Sequence, residues 1–204
     1  MSGRFALFRW PPALAATPGF PDDLPPRWNL APGARVLMLR GDAQTLRADL
    51  ARWGLTPAWL TDLTRTPAHA RAETLAEQPM FREAFRLRRC LLPANGFYEW
   101  RGVRKRPYWM SGDGGLLHLA AIWEAYPAGD HDYLSVAMVT QAVADMRRPL
   151  MLDEAGARRW LDPEASLESL QSLLRGASPV LRERALATLV NDPSLEGPAC
   201  LTSA

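Results

Sequence analysis

Residues 69–106, HARAETLAEQPMFREAFRLRRCLLPANGFYEWRGVRKR, hold in one run the two kinds of regular structure that recur along the chain. Gln78-Pro79 opens a helical pattern. Proline suits a first helical position, and Met80, Phe81, Ala84 and Phe85 make one apolar face while Arg82, Arg86 and Arg89 point elsewhere. Cys90-Leu91-Leu92-Pro93 leaves that helix, Asn95-Gly96 is a turn signal, and Phe97-Tyr98-Glu99-Trp100 resumes in strand-forming residues. Glu99 therefore sits among aromatic side chains. Charge is concentrated in residues 82–106: Arg82, Arg86, Arg88, Arg89, Arg101, Arg104, Lys105 and Arg106 face only Glu83 and Glu99, a local excess of +6 in a chain whose total is +2.

Outward from this stretch the chain alternates short strands and helices without a βαβα rhythm, which predicts an α+β fold in one domain spanning residues 1–204. Leu116 to Trp123 and Tyr133 to Thr140 are apolar, partly β-branched runs separated by Pro127-Ala128-Gly129-Asp130, the pattern of core strands around a turn. Asp153 can cap a helix through Trp160. A second helix from Pro163 to Leu174 carries Leu167, Leu170, Leu173 and Leu174 on one face and ends at Gly176. Toward the start, residues 11–33 hold seven of the eighteen prolines and read as an extended segment pinned to a surface. Val36 to Leu39 reads as a strand ending at Gly41-Asp42, whereas Leu46, Leu50 and Trp53 have helical spacing.

At 204 residues and 48% hydrophobic composition the chain can bury a substantial core. Its cations are 23 Arg and one Lys, and the planar guanidinium fork suits phosphate or carboxylate. A basic middle followed by a mildly acidic stretch, with eight acids and five bases in residues 153–204, favours a polyanionic partner. Cys90 and Cys200 have neither metal-ligand nor disulfide spacing, so no metal, no cofactor and a reducing cytoplasmic setting are expected. MSGRFALFRWPPALAA imitates a signal peptide, but Arg9 and Pro11-Pro12 interrupt its apolar run, and no stretch is long and apolar enough for a membrane span. No obligate protein partner is indicated.

Three features carry chemistry. Ser2 has a small side chain, so removal of Met1 exposes an α-amine and a hydroxyl on adjacent carbons, a pair able to attack an aldehyde. Glu99, an acid between aromatic residues on a strand, is desolvated and so suited to giving and taking protons; an ion pair with a nearby arginine is the alternative. His69 fits a base, a hydrogen-bonding loop residue or an exposed side chain. Arg4, Arg71 and Arg147 together with Trp28, Trp53 and Trp59 supply the guanidinium groups and flat rings of a single-strand nucleic acid groove.

Taken in order, several motifs resemble the SRAP family, the SOS response-associated peptidases now understood as abasic-site processing proteins. They are Met1-Ser2-Gly3-Arg4-Phe5, Trp28-Asn29-Leu30-Ala31-Pro32-Gly33, Trp53-Gly54-Leu55-Thr56-Pro57, Ala70-Arg71-Ala72-Glu73-Thr74, Met80-Phe81, the run from Cys90 to Trp100, and Arg147-Arg148-Pro149-Leu150. The resemblance implies a mixed, barrel-like β-sheet flanked by helices, a strand over residues 45–53 in place of the helical reading, and a processed N-terminus at the base of a basic DNA groove. It implies catalytic roles at Ser2, Glu99, His69 and Asp145, and DNA contacts at Arg4, Asn29, Pro32, Trp59, Arg71, Met80, Thr140 and Arg147. The chain departs from the family pattern at three of the four catalytic positions. Ser2 stands for a cysteine, His69 for an asparagine, and Asp145, in a shortened segment, for a histidine.

A hydroxyl can close an oxazolidine onto an imine, but that ring hydrolyses more readily than the family's thiazolidine, whereas the α-amine chemistry is untouched. The expected activity is thus an imine-forming, lyase-type reaction on single-stranded or abasic DNA. The competing readings are a non-catalytic shield of single-stranded DNA and, last, a peptidase, for which no serine-protease triad is evident.

Overall fold

The structure, a computed structural model, describes residues 3–42 and 44–204; Ser2, with Met1 and Ala43, lies outside the described residues. β1 (Arg4–Leu7) pairs antiparallel with β2 (Arg27–Leu30). Between them the proline-rich segment, expected to be extended throughout, forms the single turn α1 (Pro12–Ala15), begun by a proline whose missing N–H costs nothing at a first helical position.

β3 (Arg35–Arg40) and β4 (Arg47–Trp53) form an antiparallel pair in which Leu37 faces Leu50 and Val36 faces Ala51. The helical spacing of Leu46, Leu50 and Trp53 loses to this ladder, as the family resemblance implied. Seven residues ahead of Gly54 and Pro57 are too few to stabilise a helix alone, while a ready apolar strand lies alongside. Gly41 makes the return possible. Its φ is +101°, and a Cβ there would lie 2.4 Å from the Thr45 carbonyl oxygen.

After β5 (His69–Arg71) comes α2 (Arg82–Leu87), shorter at both ends than the apolar pattern suggested. β6 (Arg89–Ala94) follows at once, so Arg89 is not on the helix's polar face. It is buried, and its guanidinium donates to the carbonyls of Phe85 (2.9 Å), Arg86, Trp160 (2.6 Å) and Asp162 (2.6 Å). β7 (Gly96–Arg101) and β8 (Arg106–Ser111) form a hairpin, and Gly96 is where they press closest: a Cβ would meet the Trp109 ring at 2.4 Å. Asn95, read as a turn, is the bend where the chain leaves one sheet for another. Its side chain accepts from Phe8 N and Arg9 N and donates to Arg9 O, pinning the bend to the residues after β1.

The long strands β9 (Leu117–Ala128) and β10 (His131–Val143) pair antiparallel, and β10 continues through a two-residue turn into β11 (Met146–Pro149). β12 (Met151–Leu152) lies against β9, and α3 (Glu154–Leu161) starts at Asp153, whose Oδ1 accepts from Gly156 N at 2.7 Å. α4 (Leu167–Leu174) starts at its own cap, Ser166, rather than at Pro163. β13 (Arg182–Ala185) and two 3-10 turns, Thr188–Asn191 and Pro198–Leu201, complete the order.

Successive pairings β10–β4–β3–β6–β9 return to β10, so these strands close a barrel, mixed because β4 and β10 run parallel. β6 is buried at every position because the barrel interior fills one face and α3 and α2 cover the other, which explains its unbroken apolar run. The second sheet, ordered β13-β8-β7-β1-β2, is antiparallel throughout. Among the described residues no helix is long and apolar enough to cross a membrane.

Candidate active site

β7 carries the central carboxylate. Strand alternation puts Glu99 and Arg101 on one face, and Arg101 donates to Glu99 Oε2 from Nε (3.0 Å) and Nη2 (2.6 Å). From the barrel side, β11 delivers Arg148, whose Nε donates to Glu99 Oε1 at 2.6 Å and whose Nη2 reaches Oε2 at 3.3 Å. The Glu99 side chain is 0% exposed, so the carboxylate bridges the two sheets from beneath its two arginines.

Both arginines also hold Glu183 of β13. Arg101 Nη1 and Nη2 meet its two oxygens at 2.7 and 3.0 Å, and Arg148 Nη2 lies 3.4 Å from Oε1. The hydrogen bond from Arg101, helped by the charge of Arg148, holds the Glu183 carboxyl below the usual carboxylate range. Above this network opens a groove of about 540 Å³ lined by Trp100, Arg101, Asp145, Arg148 and Glu183 among others. Asp145 reaches it from the β10–β11 turn, where Ala144 has φ +51° and the adjacent Val143 and Met146 pair, the tight geometry behind the shortened segment seen in the sequence.

The other face of β11 bears Arg147. It donates to Glu73 Oε2 (2.7 Å) and to the Thr140 carbonyl (2.9 Å), so Thr140, fully buried on β10, supports Arg147 from below. Burial pushes the Glu73 carboxyl up, but the Arg147 hydrogen bond and the amide of Ala142 outweigh it and the net direction is down. Arg71 is exposed beside Thr140, in register on the parallel neighbour β5. His69 lies opposite Met138, its ring edge-on to Trp53 at 5.4 Å.

A third group gathers at β1. Arg4 donates to Asn29 Oδ1 (3.2 Å) and to the carbonyls of Val190 and Asn191, and its guanidinium lies 4.9 Å from the Trp100 ring centre. Asn29 is buried and donates to the carbonyls of Asp192 and Leu195. Arg4 pairs with Tyr98, so β1 begins beside the end of β7 that bears Glu99 and Trp100. Pro32 and Trp59 stand exposed on loops, Trp59 at 58%, and Met80 is half-buried against the core.

Five of the sequence-predicted residues thus fall into two contacting groups, Arg4 with Asn29 and Arg71 with Thr140 and Arg147, with Glu99 between the sheets, while His69, Pro32, Trp59 and Met80 stand apart from them and Asp145 lines the groove above Glu99. Sequence reasoning gave no site role to Arg101, Arg148, Glu183, Trp100 or Glu73. Arg101 carried a usable signal, two residues beyond Glu99 on a strand. Among the described residues no cluster of His, Cys, Asp and Glu could hold a metal ion.

The family model described as SOS response associated peptidase (SRAP) matches residues 1–193. The chain belongs to the SRAP family. Among its relatives are the abasic site processing protein YoqW of Bacillus subtilis, 30% identical over 223 residues and covering 100% of both chains, and YedK of Escherichia coli, 35% identical over 150 residues, or 69% of this chain and 66% of that one. Solved structures share the fold. A Bacteroides thetaiotaomicron protein superposes with a TM-score of 0.76 at 22% identity, covering 89% of this chain and 87% of its own. A phage-related Bordetella bronchiseptica protein gives 0.72 at 25%, covering 90% and 93%. The family's mixed barrel flanked by helices is the architecture found here.

Proposed function

We propose that this protein processes abasic sites in single-stranded DNA, using the Ser2 α-amine exposed by removal of Met1. The observation that carries the reading is the fully buried Glu99 carboxylate at the end of β7 beside which β1 begins. Ser2 is two residues from Arg4, a span of at most about 7 Å, so its amine has the reach to work at this end of the sheet.

The amine lone pair attacks C1′ of the ring-opened sugar, and the carbinolamine loses water to give an imine. Removal of a C2′ proton then breaks the C3′–O bond, and the 3′ phosphate leaves on the downstream strand. Glu99 supplies and accepts these protons once Arg101 or Arg148 turns toward the groove. Hydrolysis of the imine regenerates the amine. With an oxygen in place of sulfur the adduct is transient rather than a durable cross-link. Arg4, Arg71 and Arg147 face the strand's phosphates, and Trp59 offers a stacking surface.

A second reading, a shield of single-stranded DNA without covalent chemistry, is favoured by the same ion pairs, which cover Glu99 completely. Borohydride trapping on an abasic oligonucleotide separates the two, after intact-mass measurement establishes loss of Met1. The expected result is a reduced adduct on the N-terminal peptide. Salt-dependent binding with neither adduct nor strand cleavage would leave only the shield.

A further inference from the structure

Arg101 and Arg148 present their outer nitrogens to one half-exposed carboxylate. Arg101 meets both Glu183 oxygens in the side-by-side fork that arginine makes equally with a phosphate, and Arg148 adds a longer contact to the same oxygen. With Glu99 and Glu183 both in place, two guanidiniums meet two carboxylates and the cluster is neutral. The two acids differ in how firmly they are placed. Glu99 is enclosed between the sheets at 0% side-chain exposure, whereas the Glu183 side chain is 43% exposed, in the groove wall. β13 is an edge strand held to β8 through its backbone, so Glu183 can rotate into solvent without disturbing a ladder.

We propose that Arg101 and Arg148 form a phosphodiester-binding fork and that Glu183 is its resident anion, displaced when a DNA phosphate enters the groove. The proposal rests on the single-stranded DNA reading above and adds the site's own competitor to it. Loss of Glu183 leaves the fork with one uncompensated positive charge beside Trp100, next to the carboxylate assigned the proton transfers. The internal carboxylate weakens strand binding, because each binding event must first break its contacts. It also discriminates against isolated anions too weak to displace it.

The test is a double-mutant cycle read by anisotropy of a labelled oligothymidylate over a salt series. Glu183→Gln should bind about tenfold tighter than the unaltered protein, with the slope of log K against log salt steeper by roughly one, the signature of one more phosphate neutralised by free guanidinium. Glu183→Asp should fall between the two. Glu164→Gln, an exposed acid in the turn before α4, should match the unaltered protein. In an Arg148→Met background the gain from Glu183→Gln should shrink toward nothing. If the unaltered protein binds and Glu183→Gln binds no better, or if Glu164→Gln produces the same gain, the fork is overturned while strand binding stands. Absence of binding by the unaltered protein and Glu183→Gln alike overturns both.

Discussion

Arg89 and Arg148 are both arginines drawn out of bulk water, and they are satisfied in opposite ways. Arg89 donates only to main-chain carbonyls, two from the end of α2 and two from the end of α3, groups that no helix can satisfy internally. Its partners cannot exchange without unwinding a helix terminus. Arg148 is satisfied by side-chain carboxylates, one enclosed and one half-exposed. The lesson is that a buried guanidinium bound to backbone holds a fold together, whereas one bound to a surface carboxylate can trade its partner for another anion.

The sharpest way to break this comparison is Arg89→Met. Removing the buried charge orphans carbonyls at two helix ends, and the expected loss is about 3 kcal/mol of stability, read as a lower denaturant midpoint at unchanged slope, with strand affinity intact wherever the protein remains folded. A comparable loss of DNA binding would mean that the two arginines do not divide the work this way. Glu99→Gln comes next. Trapped-imine formation should slow about 100-fold, since the amide keeps the shape and loses the proton chemistry, while affinity for an unmodified strand should not fall, because one guanidinium charge of the fork is then uncompensated.

The smallest effect concerns acid. The Glu183 carboxyl is held low chiefly by the Arg101 hydrogen bond, so its contribution to stability is present above the ordinary glutamate range and is lost as pH falls through its lowered value. Glu124 is the reverse. Burial raises its carboxyl against the opposing hydrogen bond from Arg88, so stability declines as pH rises from the ordinary glutamate value through the raised one. Denaturation midpoints over a pH series should therefore lose the upper feature in Glu124→Gln and the lower one in Glu183→Gln.

Much of this was legible where the signal is local. Asp153 caps α3, and the apolar runs became β9 and β10, because each is decided by neighbouring residues. The helical spacing over residues 46–53 misled because the deciding partner, β3, enters only through pairing, and Arg89 was misplaced because α2 stops at Leu87. The same divide runs through the site. Glu99 stood out as an acid among aromatics and strand alternation was a signal for Arg101 that went unused, but Arg148 joins Glu99 across 49 residues and Glu183 joins Arg101 across 82. No local pattern encodes those meetings; the register of two sheets does.

Arg4 finds its backbone partners at Val190 and Asn191, 186 and 187 residues further along. At roughly 5–20 residues per second a ribosome takes about 10–40 s to make that interval. The backbone of β1 meets its neighbours β2 and β7 well before then, so the strand is laid down early and its arginine is the last part of it to be held.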